Sequence, residues 1–196
     1  LLDARTGSVT TLFEGAFRSY AHDSASNTIL LQSEPFFDSD PERGLYLIQA
    51  SEPYQVTRIS APAFSTLIPI GSIDYPFSGF LEDNGLALIG LDGSIRTIDE
   101  LSWYPYPAPT QNLLALQYFP RAYGLWIYDI DNDQRIDVLS EGSIFRMTWS
   151  PDSSALFYVA DGELHSFLPD SRENTLIYTW PANSLSDIDL KWVILP

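Results

Sequence analysis

Apolar residues come along this chain in short bursts of four to seven, rich in β-branched and aromatic side chains, with turn-forming residues between them every 8 to 12 positions. Thr28–Leu31, Leu45–Gln49, Leu86–Gly90, Leu113–Gln117, Leu125–Tyr128, Ala155–Val159 and Thr175–Trp180 are the clearest of these bursts. Runs of this length and spacing predict strands and an all-β chain. The 14 Pro and 11 Gly are spread throughout and argue against helices. Leu113–Phe119 has the propensity of a helical turn, and its place in the repeat below assigns it as strand.

The bursts recur as a repeat. Trp149–His165 aligns over Phe80–Arg96 without a gap, placing aromatic on aromatic, Asp152 on Asp83, and Asp161-Gly162 on Asp92-Gly93. A third copy runs Tyr106–Leu116 and continues at Gly124-Leu125-Trp126; a fourth runs Tyr20–Leu31 and continues at Gly44-Leu45-Tyr46. The anchors Tyr20, Phe80, Tyr106 and Trp149 lie 60, 26 and 43 residues apart. The mean period of about 40 is that of four-stranded propeller blades, small sheets that bury their faces only by stacking on one another.

Trp149-Ser-Pro-Asp-Ser-Ser-Ala-Leu-Phe-Tyr158 resembles the W-S-P-D-G repeat of TolB-like, WD-repeat-like β-propellers. Leu125-Trp-Ile-Tyr-Asp-Ile-Asp131 is similar to the strand and hairpin that follow it in that family, and Leu1–Gly7 before Val9–Leu12 looks like the end of such a blade. The departures are Ser153 for Gly, and Ala21-His22, Leu81-Glu82 and Pro107-Ala108 where Ser-Pro stands in the pattern. The expected fold is therefore a single β-propeller domain of four-stranded antiparallel blades. Its units fall at about 16–60, 61–100, 101–141 and 142–180, with 1–15 and 181–196 forming a composite closing blade. Pairing of the two ends makes five blades; without it the chain is part of a six- to eight-bladed ring. Two irregularities stand out. The unit around Phe80 is short between Arg96 and Trp103, so its outer strand is expected to be missing or merged with Ile95–Ile98. The first unit carries a long insertion, Gln32–Arg43.

Composition narrows the partners. The 196 residues carry 26 acidic and 10 basic side chains, a net charge of −16, with an isoelectric point near 4.1. With 45% hydrophobic and 18% charged residues the chain has material for a core despite that charge. Backbone phosphates would be repelled, so nucleic acid is not an expected partner. The absence of cysteine excludes disulfides, thiolate zinc sites and a cysteine nucleophile. No apolar run approaches the ~18 residues of a membrane helix, so no membrane span is expected. The start Leu1-Leu2-Asp3 has neither initiator Met nor signal pattern and reads as a processed product or a fragment.

Candidate chemistry is sparse. Asp129, Asp131, Asp133 and Asp137 stand at positions 1, 3, 5 and 9 of a calcium-type loop, but Gln134 replaces its Gly and Ser140 its final Glu. The other reading is a solvated hairpin turn. Phe36 and Phe37 beside Asp38, Asp40 and Glu42 in the insertion suggest a partner-binding tip, or rings folded back on the neighbouring blade. His22 and His165, the only imidazoles, read as structural, and no G-x-S-x-G segment occurs. Tyr104–Pro109 resembles a polyproline ligand and reads better as an entry strand interrupted by prolines. The functional expectation is a non-enzymatic scaffold binding a protein or an extended ligand, with no cofactor unless calcium occupies the aspartate loop. The family resemblance implies placement in the cell envelope or outside the cell. The alternative is the propeller part of a hydrolase, either a peptidase accessory domain or a glycosidase with paired carboxylates. A purely structural module with an acidic, solubilising surface is the third reading.

Overall fold

The computed structural model describes residues 8–33, 44–59, 64–72, 74–81, 85–99, 102–118, 123–181 and 190. Its regular structure is entirely β and falls into two compact units, residues 1–100 and 101–196.

The first unit holds two four-stranded antiparallel sheets, each a meander in chain order. One contains β1 (Phe17–Asp23), β2 (Thr28–Ser33), β3 (Leu45–Gln49) and β4 (Gln55–Ile59). The other contains β5 (Phe64–Pro69), β6 (Phe77–Leu81), β7 (Leu86–Ile89) and β8 (Ile95–Asp99). Ala21, Leu30, Leu45, Leu47 and Ile59 of the first sheet pack against Phe64, Leu67, Phe77, Ala87 and Ile89 of the second. The first strands of the two sheets are also stitched together, because the Leu67 N–H donates to Ser19 Oγ at 3.0 Å. All four residues of β7 are buried, which is why that strand reads as an unbroken apolar run rather than an alternation.

The second unit is a seven-stranded antiparallel meander of β9 (Ser102–Pro107), β10 (Leu113–Tyr118), β11 (Tyr123–Asp129), β12 (Gln134–Trp149), β13 (Leu156–Ala160), β14 (Glu163–Leu168) and β15 (Glu173–Thr179). The 16-residue β12 joins two four-stranded sheets, pairing with β11 as far as Ser143 and with β13 from Ile144 onward. Leu113, Ala115, Leu125, Ile127 and Ile136 close a core against Met147, Trp149, Leu156, Tyr158 and Phe167. The Trp149 indole N–H donates to the Tyr106 carbonyl at 2.8 Å, so the repeat's aromatic anchor also ties the end of β12 to β9.

Turn chemistry explains the hairpins. Asp23, Asp92, Asp129 and Asp152 each accept a backbone N–H two or three residues on, at 2.7 to 3.1 Å. A residue at positive φ completes most of the turns: Asn27, Gly93, Asp133, Ser153, Asp161 and Arg172.

Two sequence expectations change here. The sheet containing Phe80 lacks no strand: Ile95–Asp99 is its full outer strand, and its first strand, β5, lies upstream of Phe80. The spacing looked short because β9 begins at Ser102, directly after β8 ends at Asp99. The aromatic anchors also do not all play one role. Trp149 and Phe80 are buried, whereas Tyr20 is 62% and Tyr106 41% exposed. Trp149 pairs with Leu156, seven residues on, and the equivalent pairs elsewhere are His22 with Ile29 and Pro107 with Leu114. Tyr106 is thus one residue and Tyr20 two residues from the register place of Trp149, and that place is itself exposed at His22 and half-buried at Pro107, so the repeat fixes the pairing of these strands but not which side chain fills the core.

Candidate functional site

Among the described residues an open cleft forms where β12 passes from one sheet to the next. Gly142 lies at the change of partner with φ +134°, a conformation that other residues adopt only under strain. A Cβ there would meet Asp161 Oδ2 at 2.9 Å and Leu139 Cδ2 at 3.0 Å. Asp161 sits in the β13–β14 turn at φ +50° and accepts the Ser143 N–H on Oδ1 at 3.2 Å. Its own N–H points to the Ser143 carbonyl at 3.4 Å. With exposed Glu141, these residues line an open cleft of about 530 Å³. Ionised carboxylates accept hydrogen bonds and donate none, so the cleft suits a donor-rich or cationic group. The sequence marks Asp161 only as a repeat position aligned with Asp92 and gives no such mark to Glu141, Gly142 and Ser143. The one available signal was the glycine within a long apolar-rich strand.

The four hairpin aspartates each serve different partners. Asp129 Oδ1 accepts the backbone N–H groups of Asp131 and Asn132 at 3.1 and 3.0 Å, and its Oδ2 accepts Asn132 Nδ2 at 2.8 Å. Asp131 accepts from Asn112 Nδ2 at 2.8 Å, and Asp133 accepts the Tyr128 hydroxyl. Asp137 pairs with Arg135 Nε at 2.7 Å, and that guanidinium lies 4.8 Å from the centre of the buried Trp126 ring. Among the described residues no three His, Cys, Asp or Glu side chains are grouped to hold a metal ion. Phe36, Phe37, Asp38 and Asp40 lie outside the described residues.

Neither histidine lies against the cleft. His22 is an exposed member of β1, opposite Ile29. His165 stacks on Tyr158 with ring centroids 5.1 Å apart, and its Nε2 is 3.3 Å from Glu163. Burial pushes the Tyr158 phenol up, against the opposing pull of the Asn174 amide that donates to it at 2.7 Å. Tyr104–Pro107 forms part of β9, an edge strand, where proline is tolerated. No helix among the described residues is long and apolar enough to cross a membrane, which leaves β-barrels aside.

No family model matches the chain, and no curated protein is similar to it in sequence. Solved structures are similar in fold. An oligogalacturonate lyase in complex with manganese is 18% identical with a TM-score of 0.59, over 93% of this chain and 59% of that one. AztD from Citrobacter koseri is 15% identical with a TM-score of 0.56, over 82% of this chain and 46% of its own. PorZ of Porphyromonas gingivalis, described as an essential bacterial surface component of the type-IX secretion system, is 9% identical with a TM-score of 0.55, over 87% of this chain and 23% of its own. These are β-propeller-like proteins, and likeness at such identities is likeness of fold. The chain spans between about a quarter and three fifths of their lengths.

Proposed function

We propose that this chain is a non-enzymatic binding scaffold, a TolB-like, WD-repeat-like propeller that works in the cell envelope or outside the cell. The observation that carries the reading is the open cleft at Glu141, Gly142, Ser143 and Asp161, built into a sheet array shared by proteins of unlike activity. Its acceptors and the net charge of −16 favour a Lys- or Arg-rich segment of another protein. The surface role named for PorZ supports the placement. The tip at Phe36, Phe37, Asp38 and Asp40 is a second contact for the same partner. The hairpin aspartates are turn caps rather than calcium ligands, a reading supported by their separate partners. Residues 1–15 and 181–196 complete a fifth, composite blade.

A backbone-amide NMR titration with an Arg- and Lys-rich peptide tests the cleft. Shifts are expected at Glu141, Gly142, Ser143 and Asp161, weakening with added salt and reduced in Glu141→Gln. Absence of shifts at these four positions overturns the assignment. Turnover of oligogalacturonate or chromogenic glycosides, lost in Glu141→Gln or Asp161→Asn, replaces the scaffold reading with the hydrolase alternative or a lyase.

A further inference from the structure

The outermost strand of the second unit is unlike the other strands at sheet edges. All seven residues of β15 are exposed, with Leu176 at 51%, Ile177 at 48% and Tyr178 at 52%. Its inner edge pairs with β14, and among the described residues no strand lies on its outer side. Natural sheets blunt such edges with charges, prolines or bulges, because unpaired N–H and C=O groups accept any passing strand. The other edge strands here carry those devices: Arg18 in β1, Arg58 in β4, Pro69 in β5, Arg96 in β8, and Pro105 and Pro107 in β9. Apart from Glu173 at its start, β15 has neither charge nor proline, and it has a single irregularity, the extra residue at Ile177.

We propose that this edge pairs antiparallel with the same edge of a second copy of the chain, about a twofold axis near Leu176. The sequence is self-complementary in that register. Thr175 comes opposite Ile177, Asn174 opposite Tyr178, Glu173 opposite Thr179, and Arg172 opposite Trp180. No like charges meet, and the Arg172 guanidinium reaches the face of an indole. The Tyr178 and Trp180 rings already hold each other edge to face, with centroids 5.1 Å apart, so little ring order is lost on pairing. An isologous strand pair of seven residues is small against the ~1,600 Å² of a standard interface, so the dimer is reversible. Each copy carries a charge of −16, and screening that repulsion with salt tightens the dimer.

Sedimentation of the full chain from about 1 to 200 µM tests this; the mass is expected to double across the range, with more dimer at high salt. Because the chain has no cysteine, single cysteines map the axis. Oxidative cross-linking should peak at Leu176→Cys, the one residue that faces its own symmetry mate, and be weaker at Thr175→Cys and Ile177→Cys, whose mates lie about 7–8 Å away on the diagonal. It should fall at least tenfold at Glu173→Cys and Thr179→Cys, whose symmetry mates lie roughly 20 Å away, beyond disulfide reach. Ile177→Lys, on an exposed side chain, should leave the circular dichroism unchanged and abolish the dimer. A monomer at every concentration, a dimer that survives Ile177→Lys, or cross-linking with no peak near Leu176 each overturns the proposal. So does amide-exchange protection of both edges of β15 in the monomer, which assigns that edge to a segment of the same chain.

Discussion

Ser153 sits at φ +63°, fully buried, at the position where the repeat pattern carries glycine. A serine is tolerated in that left-handed conformation because its hydroxyl works across the sheets. Ser153 Oγ accepts the Thr110 N–H at 2.8 Å and lies 3.0 Å from Thr110 Oγ1, joining the β12–β13 turn to the β9–β10 turn. Ser153→Ala keeps the backbone cost and orphans the Thr110 N–H, so a loss of about 1–3 kcal/mol is expected in denaturant unfolding. Ser153→Gly loses the same bonds but relieves a left-handed cost of about 1–2 kcal/mol, so it should be the milder change. Beside it, Asp152 is held by the Ser150 hydroxyl at 2.6 Å and by the N–H and hydroxyl of Ser154. These bonds lower its carboxyl from the ordinary 3.8 to about 2. A depressed folded-state pKa stabilises above the unfolded value and loses that contribution as pH falls through the folded one. Melting temperature should therefore drop more steeply between pH 3.8 and about 2 in the wild type than in Asp152→Asn.

Strands and hairpins have constraints of their own. Gly79 in β6 faces the buried Phe64 ring, and a Cβ there would stand 2.5 Å from Phe64 Cδ1 and 3.1 Å from Leu67 Cδ2. Neither ring nor methyl can withdraw from a packed core, so Gly79→Ala should cost about 1–3 kcal/mol by overpacking, read as a lower denaturation midpoint. Gly142→Ala faces both a close Asp161 carboxylate and an unfavourable φ; it should destabilise the second unit and weaken peptide binding in the cleft together. The carboxylates of the β11–β12 hairpin are satisfied by its own Tyr128, Asn132 and Arg135 and by Asn112 from the β9–β10 turn. Its melting should accordingly be the same in calcium and in chelator. A calcium-dependent rise, lost in Asp129→Asn, would place an ion there instead.

The molecule as a whole carries its charge unevenly balanced, with 26 acids against 10 bases. Mutual repulsion of like charges opposes the compact state, so stability should rise as salt is added at neutral pH, most steeply up to about 0.15 M, where the screening length has fallen to about 8 Å. If the proposed composite blade forms, one cooperative calorimetric transition is expected for the chain. Two resolved transitions would instead make units 1–100 and 101–196 thermally independent and remove the composite blade from the account.

Much of the architecture was readable because it is local. Strand length, period-two burial and an aspartate two or three residues before the N–H it accepts are all contained within one hairpin, as at Asp92-Gly93 and Asp129–Asn132. The four-stranded antiparallel sheets followed from that local grammar repeated at a period near 40. The roles of the aromatic anchors were not local, because a strand shows which face is covered only once its neighbours are packed, and Tyr20 and Tyr106 are exposed where Phe80 and Trp149 are buried. The candidate cleft was not readable at all. It needs Ser143 and Asp161, 18 residues apart, to meet at a bend that Gly142 alone permits. Twenty-six acids offer many equivalent pairings along a chain, and only the packing of β12 across two sheets selects which carboxylates share an opening.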